Sequence, residues 1–550
     1  MKSKQSTILI TFCAIGLFSL TGCVGCAGTS PQFNTPQMNT PNLRPPNVSS
    51  NRNTAAPNST NSNPQETVAV PKGTFIAAPY LQIGTGNGTP TLCWTTPEIK
   101  DTAKKTQVAS NTPVSKGVSA GNSPTKAGAK TPPTGWKVEI RGSSGAEWTA
   151  LAKAPESRRI APPGIAPEIA YRVAVEGVKP GEVFDYRISE DGKPVFSARA
   201  TAPKGNGTSA RFVLFGDCGV GEAAQKRIAY QASLVKPDLV AITGDIVYDF
   251  GRASEYRTKF FPIYNAETAS EKTGAPLLRS VPFIASPGNH DIAYTNLSKY
   301  PDGLAYFYYW DVPRNGPPLK PKDPGAPPVR GNDAAEKALI TGAGDAYPRS
   351  ANYSFDSGNV HWLVLDSNYY VDWSRQDLRA WVDKDLASAR TPWKFVVLHI
   401  PPFHSSKQHQ DEQFMRVLCE VFEKNGVDIV WSGHVHNYQR TFPVQFTAVR
   451  GLSGSWVDDK GRVSGQWKLD TVYDGKKNTR PGAPIYVVTG AGGAPIYNAD
   501  FANKPDQWQE FTAKYIGGHS FSVVDIEGQT LTVRQISDTG KELDKFVITK

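Results

Sequence analysis

Five short segments rich in Asp, Asn, His and Tyr each follow an apolar run, and they hold the side chains best placed to do chemistry. Gly244-Asp245-Ile246-Val247-Tyr248 follows Leu239-Val240-Ala241-Ile242-Thr243, which reads as a short buried strand running into a polar turn. Taken alone, this stretch reads as an Asp capping a turn beside a half-buried Tyr. Four more strand ends change that reading. Gly216-Asp217-Cys218-Gly219 closes the run from Arg211 to Phe215, and Gly288-Asn289-His290-Asp291 closes the run from Pro282 to Ser286. His399 ends Val396-Val397-Leu398, and Gly433-His434-Val435-His436 follows Val430-Trp431-Ser432. In open α/β sheets, ligands bind just beyond the carboxyl ends of strands. Carboxylate, amide oxygen, phenol and imidazole gathered there suit iron, manganese or zinc rather than calcium or copper(I). Four of the eight histidines sit in these motifs, a bias that random placement does not produce.

The series GDCG, GDIVY, GNHD, VVLH and GHVH resembles the metallophosphoesterases and, more narrowly, the purple acid phosphatases. Their pattern is GD-x-G, GD-x-x-Y, GNH-[DE], V-x-x-H and GH-x-H. The likeness extends to GHVHNYQR from Gly433 to Arg440 and to the VTGAGG segment ending at Gly493. It implies a dinuclear centre in which Asp217, Tyr248 and His436 hold Fe(III). Asn289, His399 and His434 would then hold a second ion, Zn, Mn or Fe(II), with Asp245 bridging the two. Tyr248 is the discriminating position, because ordinary metallophosphoesterases lack this phenolate.

A phosphate ester resists attack because its own negative charge repels hydroxide. Two cations about 3.5–4 Å apart offset that charge, acidify bound water and clamp an in-line displacement. The expected nucleophile is a metal-bound hydroxide, without a phosphoenzyme. By resemblance, His290 contacts the phosphate and protonates the leaving oxygen, with Asp291 beside it setting its orientation. His409, ten residues past His399, matches a substrate-pocket His of plant-type members, and His404 is off that register. His361 and His519 read as structural. Cys218 is the nearest rival nucleophile but sits at a position where the family varies. The expected activity is hydrolysis of small phosphate monoesters. A phosphodiesterase or nucleotide pyrophosphatase with the same centre is the alternative. A surface binding protein with a degenerate domain is weaker, since all seven ligand positions are filled. Larger members of the family often dimerise, so a homodimer is compatible, although nothing in the sequence specifies an interface.

The elements that must position these groups alternate. Buried-looking strands at Arg211 to Phe215, Leu239 to Thr243, Pro282 to Ser286, Val360 to Leu365, Phe395 to Leu398, Val427 to Trp431 and Ile485 to Thr489 are interspersed with helical patterns. One predicted helix opens at Ser374 with Asp377 as its capping-box partner and Leu378, Trp381, Val382 and Leu386 on one face. Another carries Phe414, Val417, Leu418, Val421 and Phe422 and stops at Gly426. The fold class is therefore α/β, and the resemblance makes it an αββα-layered metallophosphoesterase domain with mixed sheets, over 204–550. The Pro/Gly-rich stretch from Val312 to Arg349 reads as a surface excursion.

Before it, 73–203 shows short alternating strands with Gly/Pro punctuation and resembles an all-β fibronectin type III sandwich, interrupted at about 100–134 by a low-complexity Lys/Thr/Ser/Gly/Ala insertion. Residues 23–72 are Pro, Asn, Ser and Thr with few large apolar groups, the composition of a disordered tether. Residues 1–22 form a basic head and an apolar stretch ending in Leu20-Thr21-Gly22-Cys23, similar to the lipobox of bacterial lipoproteins. That resemblance implies cleavage before Cys23, lipidation of Cys23, and export to the periplasmic or cell-surface side of the envelope.

The 550 residues have a formal charge of +10, but the basic residues are scattered, so no nucleic-acid partner is expected. Six cysteines show no paired spacing, which argues against a structural zinc site or a disulfide framework.

Overall fold

The computed structural model describes residues 71–85, 88–98, 135–142 and 147–550. Cys23, the expected signal segment, most of the tether and the 100–134 insertion lie outside the described residues. The described residues belong to one compact unit, and no helix among them is long and apolar enough to cross a membrane.

Two large sheets carry the fold. The first has ten strands, and its middle trio, Ala210–Phe215, Leu239–Ile242 and Phe283–Ala285, is parallel. The second has seven, four of them parallel: Val360–Val364, Trp393–Val397, Ile429–Ser432 and Ile485–Thr489. Parallel strands are covered on both faces, which is why these runs are mostly apolar instead of alternating, with Arg211, His361 and Lys394 as exceptions. Phe212 of the first sheet meets Trp362 of the second edge to face, at 5.0 Å between ring centroids. Trp362, Phe395 and Trp431 belong to the core cluster shared by the two sheets. Their neighbours Leu363, Val396 and Val430 belong to a second cluster with Leu378, Val382 and Leu386 of the helix Gln376–Ser388. Period-two alternation thus divides each strand between two cores. The helix Ala223–Leu234 crosses between two neighbouring parallel strands and buries Ile228, Ala229 and Ala232.

The helix expected to open at Ser374 begins two residues later, with Arg375 at its N-cap position and no side-chain cap. Ser374 instead donates to Asp372 at 2.6 Å, forming a local turn that competes with capping. A lost cap costs about 1 kcal/mol. Burying Leu378, Val382 and Leu386 contributes about 1.5–3 kcal/mol each, so packing decides that the helix forms. The later helical stretch is a 3₁₀ turn, Phe414–Leu418, followed by the α-helix Cys419–Lys424, and Gly426 has the positive φ of +63° expected of a C-terminal glycine. The excursion from Val312 to Arg349 contains a helix of its own, Asp333–Ala343, capped by the Asn332 side chain, which accepts from the Ala335 amide at 3.0 Å.

The N-terminal region is largely strands. A four-stranded sheet packs with the outer strands of the first large sheet around Trp94, Trp136, Phe184, Tyr186 and Phe196. The two parts share backbone: Gln82 of Ala77–Gln82 pairs with Phe283, so one sheet runs through both. The Tyr80 hydroxyl donates to the Tyr309 carbonyl at 2.9 Å, and that of Tyr186 to the Arg279 carbonyl at 3.1 Å. At the opposite edge, Ser520–Glu527, Thr530–Ser537 and Glu542–Thr549 add antiparallel to Ala210–Phe215.

His361 lies within a strand and away from the polar strand ends. Its ring nitrogens sit 2.8 Å from Asp356 and 2.8 Å from Asp385. Burial alone would lower its pKa, but the two carboxylates override it and push it up to about 9. The folded pKa exceeds the unfolded value of about 6.5. The stabilisation is therefore complete below about pH 6.5 and is lost as pH rises through about 9. Asp356 is partly exposed, which screens the pair and leaves about 1–2 kcal/mol. His361→Gln should lower the urea midpoint at pH 6 and match the parent protein near pH 10. A deficit of equal size at both pH values would show that packing, not charge, is what His361 supplies.

Candidate metal centre

All five polar segments emerge at the carboxyl ends of parallel strands, on the same edge of the two facing sheets. Asp217, Asp245 and His434 each have positive φ, at +55°, +50° and +66°. These left-handed residues turn the chain sharply as it leaves each strand. Such conformations cost free energy in non-glycine residues and cluster at functional sites.

The structure brings the seven expected ligands together. The Tyr248 hydroxyl donates to Asp217 Oδ1 at 3.2 Å and lies 3.2 Å from His436 Nε2. Asn289 Oδ1 lies 2.8 Å from His399 Nε2, and Asp245 Oδ1 is 3.3 Å from that same nitrogen. Ligand atoms of Asp217, Asp245 and His436 all fall within 4.8 Å of one another, which puts Asp245 between the two groups. The rings of His399 and His434 are 5.0 Å apart.

The chemistry of this donor set fits cations. His399 Nδ1 donates to the Thr243 carbonyl and His436 Nδ1 to the Pro495 carbonyl, both at 2.8 Å, because a carbonyl can only accept. Each Nε2 is then the coordinating nitrogen. His434 is turned the other way: its Nε2 donates to Glu412 Oε2 at 2.9 Å, leaving Nδ1 for a metal. Burial works against a charge on His399, yet the Asp245 carboxylate overrides it and raises its pKa to about 10. A metal ion can take over the place of that proton. Burial, then the carboxylates of Asp245 and Asp217, push the Tyr248 phenol well above its ordinary value, so it ionises only against a strong local cation. Glycine leaves room at the closest approaches. A Cβ on Gly288 would lie 2.1 Å from Asp245 Oδ1, and one on Gly433 would lie 2.5 Å from Asp217 Oδ2.

His290 stands over this group. Its Nδ1 donates to the Asp249 carbonyl at 3.0 Å, its Nε2 is 4.0 Å from Asp245 Oδ2, and its ring lies 4.5 Å from that of Tyr248. Asp291 does not orient it. The Asp291 carboxylate is fully buried and accepts from the amides of Gly288 at 2.8 Å and Ile246 at 3.1 Å. It ties two ligand loops together, and Asp249 performs the orienting. Burial, then the Asp245 charge, raise the Asp291 pKa to about 7.

His409 does reach the group, with its ring 4.0 Å from that of His434 and its Nδ1 2.7 Å from Glu412 Oε1. His404 is buried beneath it, 3.2 Å from the His409 carbonyl, and burial lowers its pKa to about 3, so it is a neutral packing residue. Glu412, which holds both His409 and His434, was missed in the sequence; its three-residue spacing from His409 was the available signal. Tyr497, stacked on His436 at 4.0 Å and 11°, carries no local signal at all. Cys218 is fully buried, and burial holds its thiol protonated, so it is inert. Cys93, Cys218 and Cys419 are free thiols.

Residues 210–438 match the model of the calcineurin-like phosphoesterases, a span containing all seven of these residues. The chain carries a calcineurin-like phosphoesterase domain. Purple acid phosphatase 23 of Arabidopsis thaliana is 25% identical over 366 residues, covering 61% of this chain and 65% of that protein. Acid phosphatase type 7 of Mus musculus is 24% identical over 402 residues, covering 68% and 75%. Among solved structures, a purple acid phosphatase from yellow lupin (Lupinus luteus) seeds aligns with a TM-score of 0.55 at 15% identity, covering 86% of this chain and 74% of that one. This likeness in structure bears on the fold: the phosphoesterase domain has the mixed α/β architecture of the metallophosphoesterases.

Proposed function

We propose that this chain hydrolyses small phosphate monoesters at a dinuclear centre. Fe(III) would be held by Asp217, Tyr248 and His436, and Zn, Mn or Fe(II) by Asn289, His399 and His434, with Asp245 shared. The observation that carries this reading is the Tyr248 hydroxyl, 3.2 Å from both Asp217 Oδ1 and His436 Nε2, beside a second group built on His399 and Asn289. Relatives named as acid phosphatases point the same way.

When bound, two such ions neutralise phosphoryl charge and acidify water. The remaining work falls to the protein. The Asp249 carbonyl holds the His290 Nδ1 proton, so Nε2, 4.0 Å from Asp245 Oδ2, is the nitrogen left to deliver a proton to the departing alkoxide. Glu412 fixes the His434 ring and keeps His409 beside it. Asp291 holds the Gly288 and Ile246 backbones so that Asn289 and Asp245 stay in register. Lipid anchoring at Cys23, which rests on the Leu20-Thr21-Gly22-Cys23 segment, would expose this site to exported phosphate esters.

The test is a visible spectrum of the purified protein under air, without chelator. A broad violet band that disappears in Tyr248→Phe is expected for a phenolate on ferric iron. A band that survives Tyr248→Phe, or its absence from protein carrying iron, would remove Tyr248 and ferric iron from the proposal. Rates on p-nitrophenyl phosphate should exceed those on bis(p-nitrophenyl) phosphate, and the reverse order would favour a diesterase.

A further inference from the structure

We infer that a cavity of about 270 Å³ between the N-terminal strands and the segment 308–314 binds a small organic anion with a flat apolar body. Its lining shares no residue with the metal centre. Tyr80, Trp94, Tyr171, Tyr308 and Trp310 line it, and Trp94 and Tyr171 are stacked at 5.2 Å. The Tyr80 hydroxyl is already committed to the Tyr309 carbonyl, so its ring is what remains to offer.

The polar side of the cavity holds three guanidiniums and three carboxylates, of which only Asp311 is buried. Arg158, Arg172 and Arg314 line it. Arg172 and Arg314 share the buried carboxylate of Asp311, at 3.1 and 3.2 Å. Glu156 and Asp345 also line it and pair with Arg172 at 3.0 and 3.8 Å, and Asp345 comes within 4.0 Å of Arg314 Nε, but their side chains are 73% and 52% exposed and are largely solvated. The terminal nitrogens of Arg158 end on two neutral oxygens, the carbonyls of Ala343 and Tyr308. Among the described residues, no carboxylate pairs with Arg158. Beyond that, Arg158 Nε, Arg314 Nε and the Trp94 indole nitrogen are buried without a hydrogen-bond partner, and the Arg314 side chain is only 8% exposed. Each of these unmet groups is a donor. Buried donors give up their hydration and normally find an acceptor. Two guanidiniums with buried, unmet Nε donors against one buried carboxylate call for a negative acceptor, and Arg matches the planar fork of a carboxylate or the oxygens of a phosphonate. The ring walls take the rest of the ligand, as in most small-molecule sites.

Titrating the full-length, metal-loaded protein with benzoate, phenylphosphonate and the neutral benzamide tests this, by tryptophan fluorescence and calorimetry. At least one anion should saturate a single site at least about tenfold more tightly than benzamide. Which anion binds better distinguishes a carboxylate ligand from a phosphate-like one. Arg158→Gln should weaken binding about tenfold or more while monoester turnover stays within about twofold. Arg158 also holds two carbonyls, so Ala170→Phe provides a second test that leaves those contacts in place: it fills the cavity and leaves the charges, and it should abolish binding. Phenylphosphonate reaching the metal centre would add a second event that Ala170→Phe leaves untouched. The inference is overturned if benzamide binds as well as the anions, if neither anion saturates below about 10 mM, or if Ala170→Phe binds like the parent.

Discussion

Asp245→Asn is expected to reduce phosphate-monoester turnover by at least about a thousandfold, which corresponds to roughly 4 kcal/mol of transition-state stabilisation. Asp245 is 1% exposed and lies between the two groups of ligands. One of its oxygens is 3.3 Å from His399 Nε2 and accepts from the His290 amide at 2.9 Å, while the other is 4.0 Å from His290 Nε2. Both oxygens are therefore in use, and an amide offers only one, uncharged. The replacement NH₂ would point at a group selected to meet an acceptor. Metal content measured by mass spectrometry should fall below two ions per chain, with the circular dichroism unchanged. A variant that keeps two ions and loses less than about tenfold in rate would mean that Asp245 is not shared.

His290→Ala should separate substrates by leaving group. A positioned general acid contributes about a hundredfold to ten-thousandfold, and only where the departing oxygen needs the proton. The variant should therefore lose at least about a hundredfold on an alkyl phosphate and less than about tenfold on p-nitrophenyl phosphate. The geometry behind this is the His290 ring, locked through Nδ1 to the Asp249 carbonyl and laid against Tyr248 at 4.5 Å. Equal losses on both substrates would reduce His290 to a phosphate-binding group. Asp291→Asn is the informative companion. Its carboxylate contacts backbone amides and not the His290 ring, so it should affect both substrates alike.

The strands that carry the ligands were legible because they are parallel and buried on both faces. Leu239–Ile242 and the first three residues of Ile429–Ser432 read as unbroken apolar runs, and a polar turn after such a run has few other interpretations. The ligand types were legible for the same local reason, since Asp217, Asp245, Asn289, His399 and His434 each sit within a few residues of a strand end. The donor chemistry of iron-, manganese- or zinc-type sites then follows from residue identity alone.

Partnerships across long separations depend on the tertiary structure. Ser374 was a credible N-cap until Asp372 captured its hydroxyl. Asp291 is adjacent to His290 in sequence but faces the opposite way, because the amides of Gly288 and Ile246 converge on it from two loops. Glu412 meets His434 across 22 residues and Tyr497 meets His436 across 61, and no short window contains such pairs. The coordinating nitrogen of each histidine is set by a carbonyl or carboxylate from another element, Thr243, Pro495 or Glu412. By itself, the sequence determined the strands, their apolar faces and the kinds of ligand at their ends, all of which depend on neighbours in the chain. Only the tertiary structure decided which sheet edge they share, which atoms face one another and where Arg158 meets no carboxylate among the described residues. Those outcomes depend on the summed packing of the whole chain.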